Sequence, residues 1–291
     1  MEVIVAAHAG FCFGVKRAVE MLSGEVDKAE GAHSSILTWG PIIHNDDVVA
    51  SFAARGVETV ESLEELEGRE PGTVIIRAHG VPKQITEALT DRGFNVVDAT
   101  CPYVKHIHEI VSSESAKGRK ILVIGDPAHP EVQGIVSFAA DDNGVRVIGS
   151  PEEAQALDLP PGEAVTVVAQ TTFRVNKFQE IVAIIRGKEY DINVVDTVCR
   201  ATQERQKEAE ELSRSVDAMI VVGGAHSSNT RKLYEICSGL CPHTSFVHSP
   251  KDMHPDIPEN ARRIGITAGA STPQKIIEEV AGYVRTGQEF H

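Results

Sequence analysis

The sequence predicts an α/β protein built from three related α/β units, each with a small, mostly parallel four-stranded sheet. Three observations carry this reading. NVVDATC at 95–101 and NVVDTVC at 193–199 write nearly the same strand into a cysteine twice, 98 positions apart. Alignment on Cys12, Cys101 and Cys199 brings several further elements into register. The short apolar runs VIVA, ILVIG, TVVA and MIVVG alternate with helix-like segments, as parallel strands buried on both faces do.

In order, a strand precedes each cysteine: EVIVAAHAGFC, FNVVDATC and INVVDTVC. A helix-like segment follows, and the second of these has Pro102 just inside its start and Gly118 at its end, as helix termini prefer. Next comes a buried strand, ILTWGPIIH, RKILVIGDPAHPEV or DAMIVVGGAHSSNT, which places His44, His129 and His226 at 32, 28 and 27 residues after the cysteines. A second helix leads to a short strand ending at Ser62, Ser150 or Ser249, and the last strand ends near His79, Thr171 or Ser271. The expected units are 12–99, 100–197 and 198–281, with 282–291 as a C-terminal tail. The strand within 1–11 either belongs to the first unit or closes the third. Ligand groups gather at the carboxyl ends of parallel strands, so packing about a pseudo-threefold axis brings the three cysteines together at its centre.

The bulk composition narrows the function. A formal charge of -14, from 28 basic and 42 acidic residues, argues against a nucleic-acid or anionic-membrane surface. No signal peptide is expected at MEVIVAAHAGFCFGVKRAVE, and no apolar run approaches the roughly 20 residues that cross a bilayer. A cytoplasmic protein is expected, whose five cysteines stay reduced. None forms a CxxC pair, and Cys237 and Cys241, four apart at a helix end, read as buried packing.

Cys12, Cys101 and Cys199 share a strand-to-helix junction, where a helix N-terminus favours the thiolate. Three thiolates can hold zinc with a free fourth position, or three corners of a [4Fe–4S] cluster with one iron left without a protein ligand. Spacing does not choose between them. HSSNT at 226–230 follows a strand and two glycines and opens a helix, so its N–H groups and hydroxyls can cradle an anion or simply cap the helix. GAST at 269–272 repeats the arrangement. His44, His79 and His129 can donate to the same anion. Glu131 is a candidate proton donor, or alternatively a first-turn glutamate complementing the helix dipole. No nucleotide-binding glycine motif is present.

Nine stretches in order, GFCFGVKRAV, GPIIHN, RAHGV, DATCPYV, HPEVQG, AQTT, DTVCRATQ, SSNT and TAGASTP, resemble the 4-hydroxy-3-methylbut-2-enyl diphosphate reductases of the non-mevalonate isoprenoid pathway. The resemblance covers essentially the whole chain. It implies a trefoil of three α/β units around a central [4Fe–4S] cluster, one per chain, held by Cys12, Cys101 and Cys199 with one open iron. It implies an oxidoreductase whose substrate diphosphate is held by His44, His79, His129, Ser227, Ser228, Asn229 and Ser271. Thr171 then lies near the substrate hydroxyl and Glu131 supplies protons. The implied reaction removes the hydroxyl as water with two electrons and two protons, giving isopentenyl and dimethylallyl diphosphates. A ferredoxin or flavodoxin is implied as electron donor. His226, Ala128 and Arg200 depart from the family pattern, and His108 matches it.

The rival readings are an open-iron dehydratase without net redox change, a zinc-dependent hydrolase, and a non-catalytic iron–sulfur sensor. A dehydratase turns over without an electron donor. A sensor has no need of a ring of histidines, SSN and a carboxylate.

Overall fold

Each apolar run that predicts a strand is one, and every strand pairs in parallel. In the computed structural model residues 1–29, 35–141, 144–249 and 253–286 are described. In chain order these form β1 (Glu2–Val5), α1 (Phe13–Ala29), β2 (Ile36–Trp39), α2 (Asp46–Ala53), β3 (Val57–Val60), β4 (Thr73–Ile76), α3 (Lys83–Asp91), β5 (Asn95–Asp98) and α4 (Pro102–Ala116). There follow β6 (Lys120–Ile124), α5 (Pro130–Ser137), β7 (Val145–Ile148), α6 (Pro151–Ala156), β8 (Ala164–Ala169), α7 (Val175–Arg186), β9 (Asp191–Val194) and α8 (Arg200–Ser213). The last are β10 (Ala218–Val222), α9 (Ser228–Ser238), β11 (Thr244–Val247), β12 (Arg263–Ala268) and α10 (Gln274–Thr286). The chain divides into two compact units, one of Met1–Lys16, His44–Ala50 and Arg200–His291, the other of Arg17–Ile43 and Ser51–Cys199.

The second unit contains two sheets, ordered β3-β2-β4-β5 and β7-β6-β8-β9. In both, the edge strand beside the third strand is the one that runs on to a cysteine. β6 shows why its sequence is apolar at every position. Leu122 and Ile124 face Ile181 and Ile185 of α7, while Ile121 and Val123 face Ile107 and Val111 of α4 and Ile135 of α5. Alternate side chains of a strand point to opposite faces, so a strand between two helical layers has no polar face. Each fully buried Ile, Leu or Val stabilises the fold by about 1.5–3 kcal/mol. The β2–β4 sheet packs Leu37, Trp39, Val74 and Ile76 against Leu89 of α3 and Phe94.

The first unit contains the third sheet, ordered β1-β12-β10-β11. Here β1 pairs with β12 from Glu2↔Arg263 to Val5↔Ile266, with Arg263 Nε 3.1 Å from Glu2 Oε2 at the edge. The N-terminal strand therefore holds in this sheet the place that β5 and β9 hold in theirs. Ile220, Val222, Ile264 and Ile266 pack against Ile277, Val280 and Val284 of α10. Met219 and Val221 pack on the other face with Ala209, Leu233, Cys237 and Cys241. The last two cysteines are core residues, and burial pushes the Cys237 thiol up to about 11, which leaves it unreactive. α10 continues to Thr286, beyond residue 281 where a tail was expected to begin, and residues 287–291 of that tail lie outside the described residues.

Candidate active site

The three cysteines are presented by one repeated construction. Each stands at the residue before a helix: Cys12 before α1, Cys101 before α4 and Cys199 before α8. Each backbone N–H donates to the carbonyl two residues past the third strand of a sheet. Cys12 N meets Ala270 O at 3.2 Å, Cys101 N meets Ala78 O at 2.9 Å, and Cys199 N meets Thr171 O at 3.0 Å. The cysteines are half-buried and free of disulfides. The sulfur is a soft donor, so all three suit a soft metal or an iron–sulfur cluster.

The aspartates of the repeated NVVD explain why that stretch is written twice. Asp98 Oδ1 accepts from Thr100 N at 2.9 Å, and Asp196 Oδ1 accepts from Val198 N at 3.1 Å. Each carboxylate closes an Asx turn that aims the following cysteine at its helix start. Burial pulls the Asp98 pKa upward, but Lys105 Nζ at 2.6 Å and the Thr100 donors outweigh it and hold the carboxyl below its ordinary value. Pro102 begins α4 and Gly118, at φ +80°, follows its C-terminal end, as expected from the sequence.

In the second unit the loops after β6 and β8 bring together residues 40 positions apart. Glu131, in the first turn of α5, is 1% exposed. Its Oε1 accepts from Thr171 N at 2.6 Å and its Oε2 accepts from the Thr171 hydroxyl at 2.8 Å. His129 caps α5, its Nδ1 accepting from Glu131 N at 3.1 Å, so Nε2 is left as the donor. The His79 ring, from the loop after β4, lies edge-on to that of His129 with centroids 5.5 Å apart. This unit thus gathers His79, His129, Glu131 and Thr171 at strand ends. His108 of α4 is buried, stacks on Phe138 at 4.0 Å, and is held to a pKa of about 4 by burial, so it is neutral at physiological pH.

The first unit carries the SSNT turn. Ser227 caps α9, its Oγ accepting from Thr230 N at 3.3 Å, and Ser228 and Asn229 form the first turn. Asn229 is 4% exposed and its Nδ2 has no hydrogen-bond partner among the described residues, a buried donor that an anion could satisfy. Ser271 Oγ donates to the His44 carbonyl at 3.0 Å, tying the β2–α2 loop to the β12–α10 loop. The two glycines before HSSNT serve packing. A Cβ on Gly223, at φ +145°, would lie 2.7 Å from Thr272 Oγ1 and 2.8 Å from Thr230 Oγ1; one on Gly224 would lie 3.2 Å from His44 O.

Capping also corrects the register of the repeat. Asn45, His129 and Ser227 are the equivalent helix caps, with Asn45 Oδ1 accepting from Val48 N at 3.0 Å. His44 and His226 each stand one position earlier, and His226 is exposed. Two residues escaped the sequence reading. Asn45 is buried with Nδ2 unpartnered among the described residues, and its signal is the cap position before the acidic pair Asp46–Asp47. Lys232, one turn into α9, donates to Ser228 Oγ at 3.0 Å and brings a positive charge to the SSN turn. A helix lysine four residues after a serine carries no motif.

Fold and site define a repeated α/β enzyme with a thiol at each of three helix starts, a serine-capped helix turn with a buried asparagine, and a buried carboxylate–threonine pair. The model of the LytB protein family matches residues 3–285. A reductase from Geobacter sulfurreducens is 45% identical over 290 residues, covering 100% of this chain and 98% of the relative. One from a Thermoanaerobacter species is 41% identical over 285 residues, covering 98% and 97%. Both are named 4-hydroxy-3-methylbut-2-enyl diphosphate reductase. Among solved structures, the E-1-hydroxy-2-methyl-but-2-enyl-4-diphosphate reductase of Plasmodium falciparum matches with a TM-score of 0.90 at 26% identity, over 98% of this chain and 88% of that one. A second, described as the terminal enzyme of the non-mevalonate pathway, matches with a TM-score of 0.68 at 38% identity, over 98% and 99%. The chain belongs to the LytB family of 4-hydroxy-3-methylbut-2-enyl diphosphate reductases.

Proposed function

We propose that the protein reduces 4-hydroxy-3-methylbut-2-enyl diphosphate to isopentenyl and dimethylallyl diphosphates, consuming two electrons and two protons and releasing one water. Its curated relatives are reductases, which favours this over a redox-neutral dehydratase, a zinc hydrolase or a sensor. Cys12, Cys101 and Cys199, one from each repeat (12–99, 100–197 and 198–281), hold one [4Fe–4S] cluster with an iron free of protein ligands. Their shared place, one residue before a helix with the N–H bonded to a carbonyl two residues past a strand, supports this assignment. When bound, the cluster supplies electrons singly and a Lewis-acidic iron.

The chain's own residues bind and protonate. The first turn of α9 with Ser227, Ser228 and Asn229, together with Ser271 and the imidazoles of His44, His79 and His129, holds the diphosphate. The single observation that carries the protonation assignment is the Glu131–Thr171 pair. A proton on Glu131 can pass to the Thr171 hydroxyl, 2.8 Å away, as that hydroxyl passes its own onward to the leaving oxygen. Burial keeps bulk water from competing for this route. The electron donor is a small one-electron carrier such as ferredoxin or flavodoxin, and the protein works in the cytoplasm, where its thiols stay reduced. Among the described residues no helix is long and apolar enough to cross a membrane.

The test is anaerobic purification, iron and sulfide analysis, and product analysis with and without a reductant. Donor-dependent formation of both isoprenoid diphosphates supports the reading. Turnover without any donor, or zinc in place of iron and sulfide, overturns it.

A further inference from the structure

Two of the three cysteine loops are closed by their own aspartate, and the third is not. Only two residues separate Asp98 from Cys101, and two separate Asp196 from Cys199, with each carboxylate closing the turn locally. Before Cys12 the chain runs Ala6-Ala7-His8-Ala9-Gly10-Phe11 and contains no acidic residue. It is longer, its internal turn is made by Ala9 N donating to Ala6 O at 3.1 Å, and Gly10 takes φ +98°, so no side chain of its own closes it as Asp98 and Asp196 close theirs.

Helix α8 supplies what is missing. Glu208 Oε1 accepts from Ala7 N at 2.6 Å and Oε2 accepts from His8 N at 2.9 Å, with His8 Nδ1 also 2.9 Å from Oε2. Burial works against the Glu208 charge, but these amides outweigh it and hold its carboxyl below the ordinary value. From the same face of the helix Arg205, 3% exposed, donates from Nε to His8 O at 2.8 Å and from Nη2 to Gly10 O at 2.7 Å. Two side chains three residues apart thus engage both donors and acceptors along the loop. A buried guanidinium that spends its fork on two backbone carbonyls fixes a backbone path. α8 is also the helix that begins directly after Cys199.

We propose that Arg205 and Glu208 are positioning residues for Cys12, a tertiary clamp that does for this cysteine what Asp98 and Asp196 do locally for the other two. The proposal rests on the reading of Cys12 as a cluster ligand, but the clamp itself is testable without the cluster. In the apoprotein, hydrogen exchange is followed in peptides spanning 6–12, 98–101 and 196–199 for the wild type, Arg205→Gln, Arg205→Lys and Glu208→Gln. Glu208 is partly exposed, so its variant keeps the test alive where loss of the buried Arg205 unfolds the chain. Arg205→Gln and Glu208→Gln raise exchange about tenfold in 6–12 alone, and Arg205→Lys restores part of the protection. After anaerobic reconstitution, the same variants lose iron to a chelator about tenfold faster and show an altered cluster spectrum, while KM for the diphosphate stays at the wild-type value. Unchanged exchange in 6–12, or an equal rise in all three peptides, overturns the clamp. Localised exchange with unchanged iron retention and spectrum overturns its role toward the cluster. A protein that binds no iron or sulfide in any form, yet shows the localised exchange, leaves the clamp standing and removes the cluster reading instead.

Discussion

Glu131→Gln isolates the proton from the hydrogen bonds around it. In the wild type the carboxylate accepts from Thr171 N at 2.6 Å and from Thr171 Oγ1 at 2.8 Å. The amide oxygen of glutamine can keep the first bond, and its NH2 can donate to the threonine oxygen in place of the second. Both contacts survive with one reversed in polarity, so stability changes by less than about 1 kcal/mol. Glu131→Ala, by contrast, leaves two buried donors unpaired at about 1–3 kcal/mol each, and its loss of activity would be uninterpretable. Positioned proton transfer contributes about 10²–10⁴-fold, equivalent to roughly 3–5 kcal/mol of barrier. The expected result is therefore a loss of kcat of that size with normal cluster content and a normal unfolding midpoint. The assay is anaerobic turnover with excess reduced one-electron dye, with products separated after dephosphorylation. Turnover within threefold of wild type would refute the assignment of Glu131 as the proton source, because no carboxyl remains at that position to supply one.

Three further outcomes are expected. His108 is held neutral by burial, with its pKa lowered to about 4, so below its unfolded value near 6.5 the unfolded chain binds the extra proton. Stability should fall as pH drops from about 6.5 toward 4, by an amount on the order of 3 kcal/mol from this group; urea midpoints against pH should be flatter for His108→Asn. Gly223→Ala places a Cβ 2.7 Å from Thr272 Oγ1 at φ +145°, and should cost about 1–3 kcal/mol in chemical denaturation. Lys232→Met removes the charge beside Ser228 and should raise KM for the diphosphate by about tenfold with kcat nearly unchanged, as loss of uniform binding does.

The parts of the site legible in the sequence are those set by short-range chemistry. The helix starts at Pro102 and Ser228, the buried β6 and β10, and the cysteine at each helix start all follow from caps and apolar runs spanning a few residues. Matching histidines by type departs from the caps in two units: Ser227 lies at the same 28 residues from its cysteine as His129, while the first unit places Asn45 at 33. It equated His44 with His129, whereas the caps equate Asn45 with His129 and Ser227. Lys232 carries no motif, and Asn45 closes the GPIIHN stretch without a role assigned there; the relevance of both lies in where their polar atoms end up.

By itself the sequence determined that this is a parallel α/β protein repeated three times, that each repeat offers a thiol at a helix N-terminus, and which family pattern those residues follow. These rest on periodicity, capping and turn chemistry, which act over a handful of neighbours. Only the tertiary structure decided that β1 completes the sheet of β12, since its apolar pattern suits any parallel edge. Only it paired Glu131 with Thr171 across 40 residues, and Glu208 with the Cys12 loop across some 200. It also showed that Gly223 and Gly224 make room for threonines and a carbonyl. The physical reason is common to all of these: a hydrogen bond or a close packing contact selects its partner by distance in the folded chain, and residue type leaves that choice open until the loops are placed.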